Sequence, residues 1–218
     1  MMKVEVEKNL LAQNDRIAQE NKKILEQAGV FAFDIVGSPG CGKTALLEHL
    51  LKELGGEINL AVIEGDLYTT KDAQRLEGYG SQIIQINTQW ACHLEAFSIQ
   101  KVLEKLDLKQ LDCLIIENVG NLVCPASFAL GTAMTITVLS VPEGNDKPLK
   151  YPALFEQSEA VVINKMDLLE QTNFSLTAAK RDLKSLQPEL KFFPLSCTNE
   201  QGFNEFYSYF KGRIKPNE

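Results

Sequence analysis

The chain has 218 residues and a mass of 24.3 kDa, enough for one complete α/β core and too few for two. Hydrophobic residues make up 44%, yet no apolar run approaches the roughly 20 residues a membrane helix needs, and the start MMKVEVEKNL carries charges where a signal peptide needs an apolar stretch. A net charge of −7, from 29 acidic and 22 basic residues, argues against a non-specific nucleic-acid binder, which gains affinity by neutralising phosphates. The expectation is a cytoplasmic protein with neither membrane nor nucleic acid as partner. The five cysteines (Cys41, Cys92, Cys113, Cys124, Cys197) form an odd set without paired spacing, which in a reducing compartment reads as free thiols or metal ligands.

Residues 3–28 are polar, with apolar positions at Leu10, Leu11, Ile17, Ile24 and Leu25 and Gly29 as a stop; this spacing predicts a helix with one apolar face. Short apolar runs follow at Val30–Val36, Leu60–Glu64, Gln82–Ile86, Asp112–Glu117, Met134–Val141, Ala160–Asn164 and Lys191–Leu195. Helical patterns lie between them near 43–54, 70–79, 93–106, 173–187 and 202–212. Strands that are apolar throughout are those of a parallel sheet covered on both faces. The stretch Pro142–Pro152 reads as a connection inside the domain.

Gly37-Ser38-Pro39-Gly40-Cys41-Gly42-Lys43-Thr44 matches G-x-x-x-x-G-K-[ST] between an apolar strand and a helix, the context a phosphate-binding loop requires. Its glycines let successive N–H groups turn around an anion at a helix N-terminus. Lys43 can reach the β- and γ-phosphates, and the Thr44 hydroxyl can ligate Mg²⁺. Cys41 reads as a small filler of the loop, and His49, inside the following helix, as a packed or solvated residue. Glu64-Gly65-Asp66 and Lys71-Asp72 supply carboxylates for Mg²⁺ or the attacking water, with Asp66 and Asp72 the named candidates.

Cys92 and His93 are adjacent, and Cys124 follows Gly120 closely. Thiolate and imidazole are Zn²⁺ ligand chemistry and acceptable for Ni²⁺, although such spacing also arises among packed residues. Three ligands fall one short of a closed tetrahedral site, and a two-fold dimer would supply six. Cys113, within a strand, reads as core. Glu117-Asn118-Val119-Gly120 is placed as a Walker B element, Glu117 for Mg²⁺ and Gly120 for the γ-phosphate. Asn164-Lys165-Met166-Asp167 reads as N-K-x-D: the Asp167 carboxylate can accept from guanine N1–H and the 2-amino group, donors that adenine does not offer there. Ser196 and Cys197, with Thr198, resemble the S-A-x loop that closes over guanine. Together these residues predict an α/β P-loop NTPase with a mainly parallel sheet of about seven strands flanked by helices on both faces. Residues 1–29 are expected as a helix packed on the domain, and 30–218 as a GTP-binding domain that includes the candidate metal residues.

The segments GSPGCGKT, TQWACHLEA, ENVGNLVCPASFALG, NKMDL and SCT resemble the HypB family, hydrogenase nickel-incorporation GTPases of the SIMIBI class, from about Val30 to the C-terminus. The resemblance implies GTP hydrolysis, a GTP-dependent homodimer, and Cys92, His93 and Cys124 as an interfacial Ni²⁺ or Zn²⁺ site. It also implies partnership with a HypA-type nickel chaperone and the precursor of a [NiFe]-hydrogenase large subunit. Residues 1–29 contain neither Cys nor His, so the nickel-storage motifs of some members have no counterpart there. The competing readings are a urease-accessory nickel GTPase and a GTP-controlled interaction module without metal.

Overall fold

The computed structural model describes residues 6–66, 71–76, 79, 82–89 and 91–214. Seven strands, β1 (Phe31–Gly37), β2 (Leu60–Asp66), β3 (Gln82–Asn87), β4 (Cys113–Glu117), β5 (Met134–Ser140), β6 (Ala160–Asn164) and β7 (Lys191–Pro194), form one parallel sheet in the order β3-β2-β4-β1-β5-β6-β7. Because every strand runs the same way, all seven C-terminal ends meet at one edge, where ligands bind in such sheets. The central strand β1 is buried along its length, and alternate residues serve the two faces. Phe33 and Ile35 pack with Leu46, Leu47, Leu50 and Leu51 of α2 (Lys43–Leu54) and with Phe206 and Phe210 of α8 (Phe203–Lys211). Ala32 faces the opposite layer, with Leu25 of α1 (Val6–Ala28) and Ile99, Val102 and Leu103 of α4 (Ala96–Leu103). Val36, on that same layer, packs toward α6 (Pro152–Glu156) and α7 (Leu176–Leu186). Two short helices, α3 (Lys71–Leu76) and α5 (Lys147–Lys150), complete the set. No helix among the described residues is long and apolar enough to cross a membrane.

The predicted elements and the folded ones differ in three informative places. The helix expected over 93–106 begins at Ala96, because residues 92–95 stay irregular and present Cys92 and His93. The stretch expected as a plain connection at 142–152 holds α5 and the start of α6, each opened by a proline near its N-terminus, where the missing N–H costs nothing. The expected ends at residues 3–5, 70 and 77–78 lie outside the described residues.

The third difference concerns α1. It ends as expected at Gly29, whose φ of 73° suits glycine, but Leu10 is 56% exposed and Ile24 also faces outward. Ile17 and Leu25 are buried as expected, joined on that face by Asn14, Ala18 and Asn21. Asn14 donates to the Ala129 carbonyl at 2.9 Å and accepts from the Ala96 N–H at 2.9 Å. Asn21 donates to the Ala96 and Leu130 carbonyls at 2.8 and 3.1 Å. These buried amides bond backbone groups at the start of α4 and in the loop before β5, and they tie α1 to the segments following His93 and Cys124.

Asp34 on β1 is buried, its Oδ1 accepting from Thr132 and Thr135 hydroxyls at 2.8 and 2.9 Å. Burial raises its pKa to about 6 against the lowering effect of those hydroxyls. A folded-state pKa above the unfolded value means the native state holds the extra proton, so this contribution to stability is present in acid and is lost as pH rises through about 6. Asp34→Asn keeps the acceptor and removes the titration. Urea midpoints between about pH 4 and about pH 7 should therefore fall less in the variant than in the parent; parallel profiles would contradict this account.

Candidate functional site

The loop after β1 turns into α2 through Gly40 and Gly42, both at positive φ (75° and 102°). A Cβ on Gly42 would stand 2.2 Å from Asn164 Nδ2, so only glycine permits the contact between this loop and the end of β6. Lys43 is buried, and its Nζ donates to the Gly37 and Ser38 carbonyls at 3.3 and 3.4 Å, folded along the loop it serves. Thr44 Oγ1 donates to Glu117 Oε1 at 2.8 Å, joining the start of α2 to the end of β4.

Carboxylates gather beside this bond. Glu64 on β2 lies in register with Glu117 on β4. Oε2 of each is buried and makes no hydrogen bond among the described residues. Burial, then the proximity of Glu117, pushes Glu64 up to about 8; burial, offset by Lys43 and Thr44, leaves Glu117 at about 7. Oxygens of Glu64, Asp66 and Asp72 all lie within 4.8 Å of one another. Carboxylates crowded this closely favour a hard cation, and the Thr44 hydroxyl, the unpartnered Glu117 oxygen and the Asp66 carboxylate are an oxygen donor set that fits Mg²⁺. They line a cavity of about 360 Å³ that also receives Pro39, Gly42, Lys43, Asn118, Gly120 and Arg75. Arg75 escaped the sequence reading: it holds Glu48 with two bonds of 3.1 and 2.8 Å and Asp72 at 3.3 Å. An arginine at a lone helical position carries no motif, and only the folded chain brings it to the cavity.

On the other side of the loop, Asn164 is buried and fully engaged. Its Nδ2 donates to the Cys41 carbonyl at 2.9 Å, and its Oδ1 accepts from the Lys165 and Cys197 amides at 2.7 and 3.2 Å. Lys165 adopts the left-handed region (φ 61°) and reaches back to the Gly40 carbonyl at 2.7 Å. Ser196 donates its hydroxyl proton to Asp167 and accepts from the Thr198 amide at 3.2 Å. The residues proposed for the base and those proposed for the phosphates thus share one continuous network. Burial drives both thiols here upward, Cys41 to about 11 and Cys197 to about 12, so both stay protonated and inert at neutral pH. Cys113 is buried within β4.

The third group lies beyond Gly120. Cys92 Sγ stands 2.9 Å from Cys124 Sγ and 3.7 Å from His93 Nδ1. His93 stacks on Phe128 with ring centroids 3.8 Å apart, which fixes the imidazole plane. Burial lowers the His93 pKa, partly opposed by Glu95, so the ring is neutral and able to ligate over a wider pH range. The Cys92 thiol is raised, first by its contact with Cys124, which a bound cation would reverse by stabilising the thiolate. Two sulfurs and one imidazole on a partly exposed surface form an open donor set suited to Zn²⁺ or Ni²⁺.

The segment between the two clusters is short and tightly held. A Cβ on Gly120 would fall 2.9–3.0 Å from Pro39 atoms, so the segment presses on the phosphate loop. The Asn121 N–H donates to the Gly37 carbonyl at 3.0 Å, and its side chain donates to the Cys92 carbonyl at 3.2 Å. Asn118 Oδ1 accepts from the Leu94 amide at 3.1 Å.

Residues 31–194 match the sequence profile of the CobW/HypB/UreG nucleotide-binding domain. The hydrogenase maturation factor HypB of Rhizobium leguminosarum is 42% identical over 208 residues, covering 95% of this chain and 70% of the relative. The hydrogenase/urease maturation factor HypB of Helicobacter hepaticus is 45% identical over 194 residues, covering 87% and 79%. The chain belongs to the HypB family. Among solved structures, a HypB from Helicobacter pylori in complex with nickel superposes with a TM-score of 0.84 at 39% identity, covering 94% of this chain and 99% of that one. The HypB fold, a seven-stranded parallel sheet carrying a P-loop, is therefore the fold seen here.

The closeness of Gly42 to Asn164 makes a direct prediction. Gly42→Ala should lower the stability of the nucleotide-free protein by at least about 1–2 kcal/mol in urea unfolding, from the left-handed backbone alone. An unchanged midpoint would show that the loop and β6 do not approach as described.

Proposed function

We propose that the chain is a cytoplasmic GTPase that couples GTP binding and hydrolysis to the delivery of nickel during maturation of [NiFe]-hydrogenase. The observation that carries this reading is the segment Glu117–Cys124. It touches the phosphate loop through Gly120 and Asn121, and it ends in a sulfur of the Cys92–His93–Cys124 cluster. A nucleotide that moves Gly120 moves a metal ligand, and two sites linked this way change one another's affinity reciprocally. Nickel is the cargo; the hydrogenase maturation role and the nickel complex of the relatives support this choice over a metal-free interaction module.

Within the nucleotide site, the amides around Gly40–Thr44 cradle the phosphates and Lys43 turns from the loop carbonyls to the β- and γ-phosphates. Asp167 pairs with guanine N1–H and the 2-amino group, braced by Ser196, while Asn164 and Lys165 hold the loop beneath the base. Mg²⁺, when bound, would supply positive charge to offset the charge that develops on the phosphates. Thr44, Asp66 and Glu117 would hold it, and Asp72 would orient the attacking water. Arg75 keeps Asp72 in place and is itself engaged by Glu48. The nucleotide-bound form is a homodimer in which two copies of Cys92, His93 and Cys124 share metal at the interface. Its partners are a HypA-type nickel chaperone and the hydrogenase large-subunit precursor. A second reading, service to urease as well, is favoured by the hydrogenase/urease maturation factor at 45% identity.

Three measurements test the proposal. Equilibrium dialysis should show Ni²⁺ retained by the wild type and lost, by about ten-fold or more in affinity, from Cys92→Ala/Cys124→Ala; equal uptake would remove the metal role. Asp167→Asn should weaken GTP by about 1–3 kcal/mol and favour xanthine nucleotides, whose 2-oxo group accepts from the new amide; undiminished GTP affinity would refute the base assignment. Sedimentation with Mg²⁺ and a non-hydrolysable GTP analogue should give the dimer and with GDP the monomer, and identical behaviour would remove the switch.

A further inference from the structure

A cavity of about 320 Å³ lies between α1, the loop from Phe128 to Thr132 and the end of α6, and it shares no lining residue with the nucleotide cavity. Its walls are fixed by the fold itself. Asn14 and Asn21 of α1 hold the Ala129 and Leu130 carbonyls at 2.9 and 3.1 Å. A Cβ on Gly131 would stand 2.4 Å from the Ala18 carbonyl, so the loop lies directly against α1. A preformed hollow with apolar walls and a few convergent polar groups is the usual form of a small-molecule site.

Asp34 reaches this cavity from β1 and is 6% exposed. Its Oδ1 takes both threonine hydroxyls, Thr132 at 2.8 Å and Thr135 at 2.9 Å, whereas Oδ2 accepts from no other residue among those described. Lys22, the cation on the same wall, lies instead 4.0 Å from Glu26. Burial raises Asp34 to about 6 against the pull of the two hydroxyls, with Glu159 adding repulsion of like sign. Above that pH a buried carboxylate holds its charge without a counter-ion, an arrangement that disfavours itself unless a cation arrives.

The chemistry of the acceptors selects the cation. Thr132 and Thr135 each commit their hydroxyl hydrogen to Asp34, so toward a ligand their oxygens only accept. With Asp34 Oδ2 they make three acceptors, the number of N–H donors on a primary ammonium group. A hard divalent metal takes about six oxygen ligands, more than are gathered here, and an anion is repelled by Asp34 and Asp15. We propose that this cavity binds a primary alkylammonium ion, its nitrogen on Asp34 Oδ2 and the two threonine oxygens and its chain against Ala18, Leu130 and Leu154. Pro125, which follows Cys124, and Phe128, which stacks on His93, also line the cavity. An occupant therefore bears on the segment that carries the metal-ligand cluster without entering that cluster.

NMR titration of the full ¹⁵N-labelled chain with n-butylammonium tests the proposal. The amides of Ala18, Gly131 and Thr132 should shift saturably with a Kd of about 1 mM or below. n-Butanol, which has no charge, and tetramethylammonium, which has no N–H, should each bind at least about ten-fold more weakly. Asp34→Asn keeps the size of the side chain and removes its charge, and should weaken n-butylammonium about ten-fold or more. Thr135→Val removes one acceptor and should weaken it about three-fold or more. Affinity that is unchanged in Asp34→Asn overturns the proposal, as do wild-type shifts that fail to saturate or fall elsewhere on the chain. Should Asp34→Asn fail to fold, the three probes on the wild type decide alone: equal affinities reject an ammonium site, and the stated order supports it.

Discussion

Asn121 joins two sites, one through its backbone N–H and the other through its side-chain amide. Its backbone N–H donates to Gly37, the first residue of the phosphate loop, and its side chain donates to the carbonyl of Cys92. Neither acceptor has freedom to wander: Gly37 ends the central strand, and a Cβ there would fall 2.4 Å from the Val138 carbonyl. Cys92 precedes a helix whose first residue is bonded to Asn14 and Asn21 of α1. The metal-ligand cluster is thus referenced to the phosphate loop on one side and to α1 on the other. The parallel sheet supplies the frame that makes this economical, since β1, β2, β4 and β6 all deliver their C-terminal residues to the same edge.

Electrostatics divide the labour between the clusters. Around Thr44 the donors are carboxylate oxygens, of which those of Glu64 and Glu117 are buried and raised in pKa by that burial, a set suited to a hard cation. Around Cys92 they are sulfur and nitrogen, softer ligands on a partly exposed surface, with His93 held neutral by burial. The ligand types differ accordingly: oxygen donors that suit Mg²⁺ in one cluster, sulfur and nitrogen donors that suit a transition metal in the other. The distance between the clusters is bridged by a few residues of one segment, which joins them in position.

Much of this was legible before folding, and the reasons are local. The phosphate loop and N-K-x-D are contiguous motifs set at strand ends, so spacing and context identify them together. Strands apolar on both faces announced a covered parallel sheet. Hydrophobicity finds only part of the α1 face, Ile17 and Leu25, because its seam is half polar: Asn14 and Asn21 are buried for their amides, not despite them. The start of α4 was placed too early because nothing in the letters marks residues 92–95 as irregular. Arg75 and His49 belong to no motif, and their partners Asp72, Glu48 and Cys197 become neighbours only through tertiary packing. Phe128, which fixes the plane of His93, is far from it in sequence for the same reason.

The central claim is that nucleotide and metal communicate through the segment pinned by Asn121. The most direct measurement is the Ni²⁺ affinity of wild type and Asn121→Ala, each with Mg²⁺-GDP and with a Mg²⁺-bound non-hydrolysable GTP analogue. In the wild type the two nucleotides should shift Ni²⁺ affinity by about 5-fold or more, and the shift should collapse in Asn121→Ala while each ligand still binds. A wild-type Ni²⁺ affinity that is the same with both nucleotides, or a shift that survives intact in Asn121→Ala, would contradict the account.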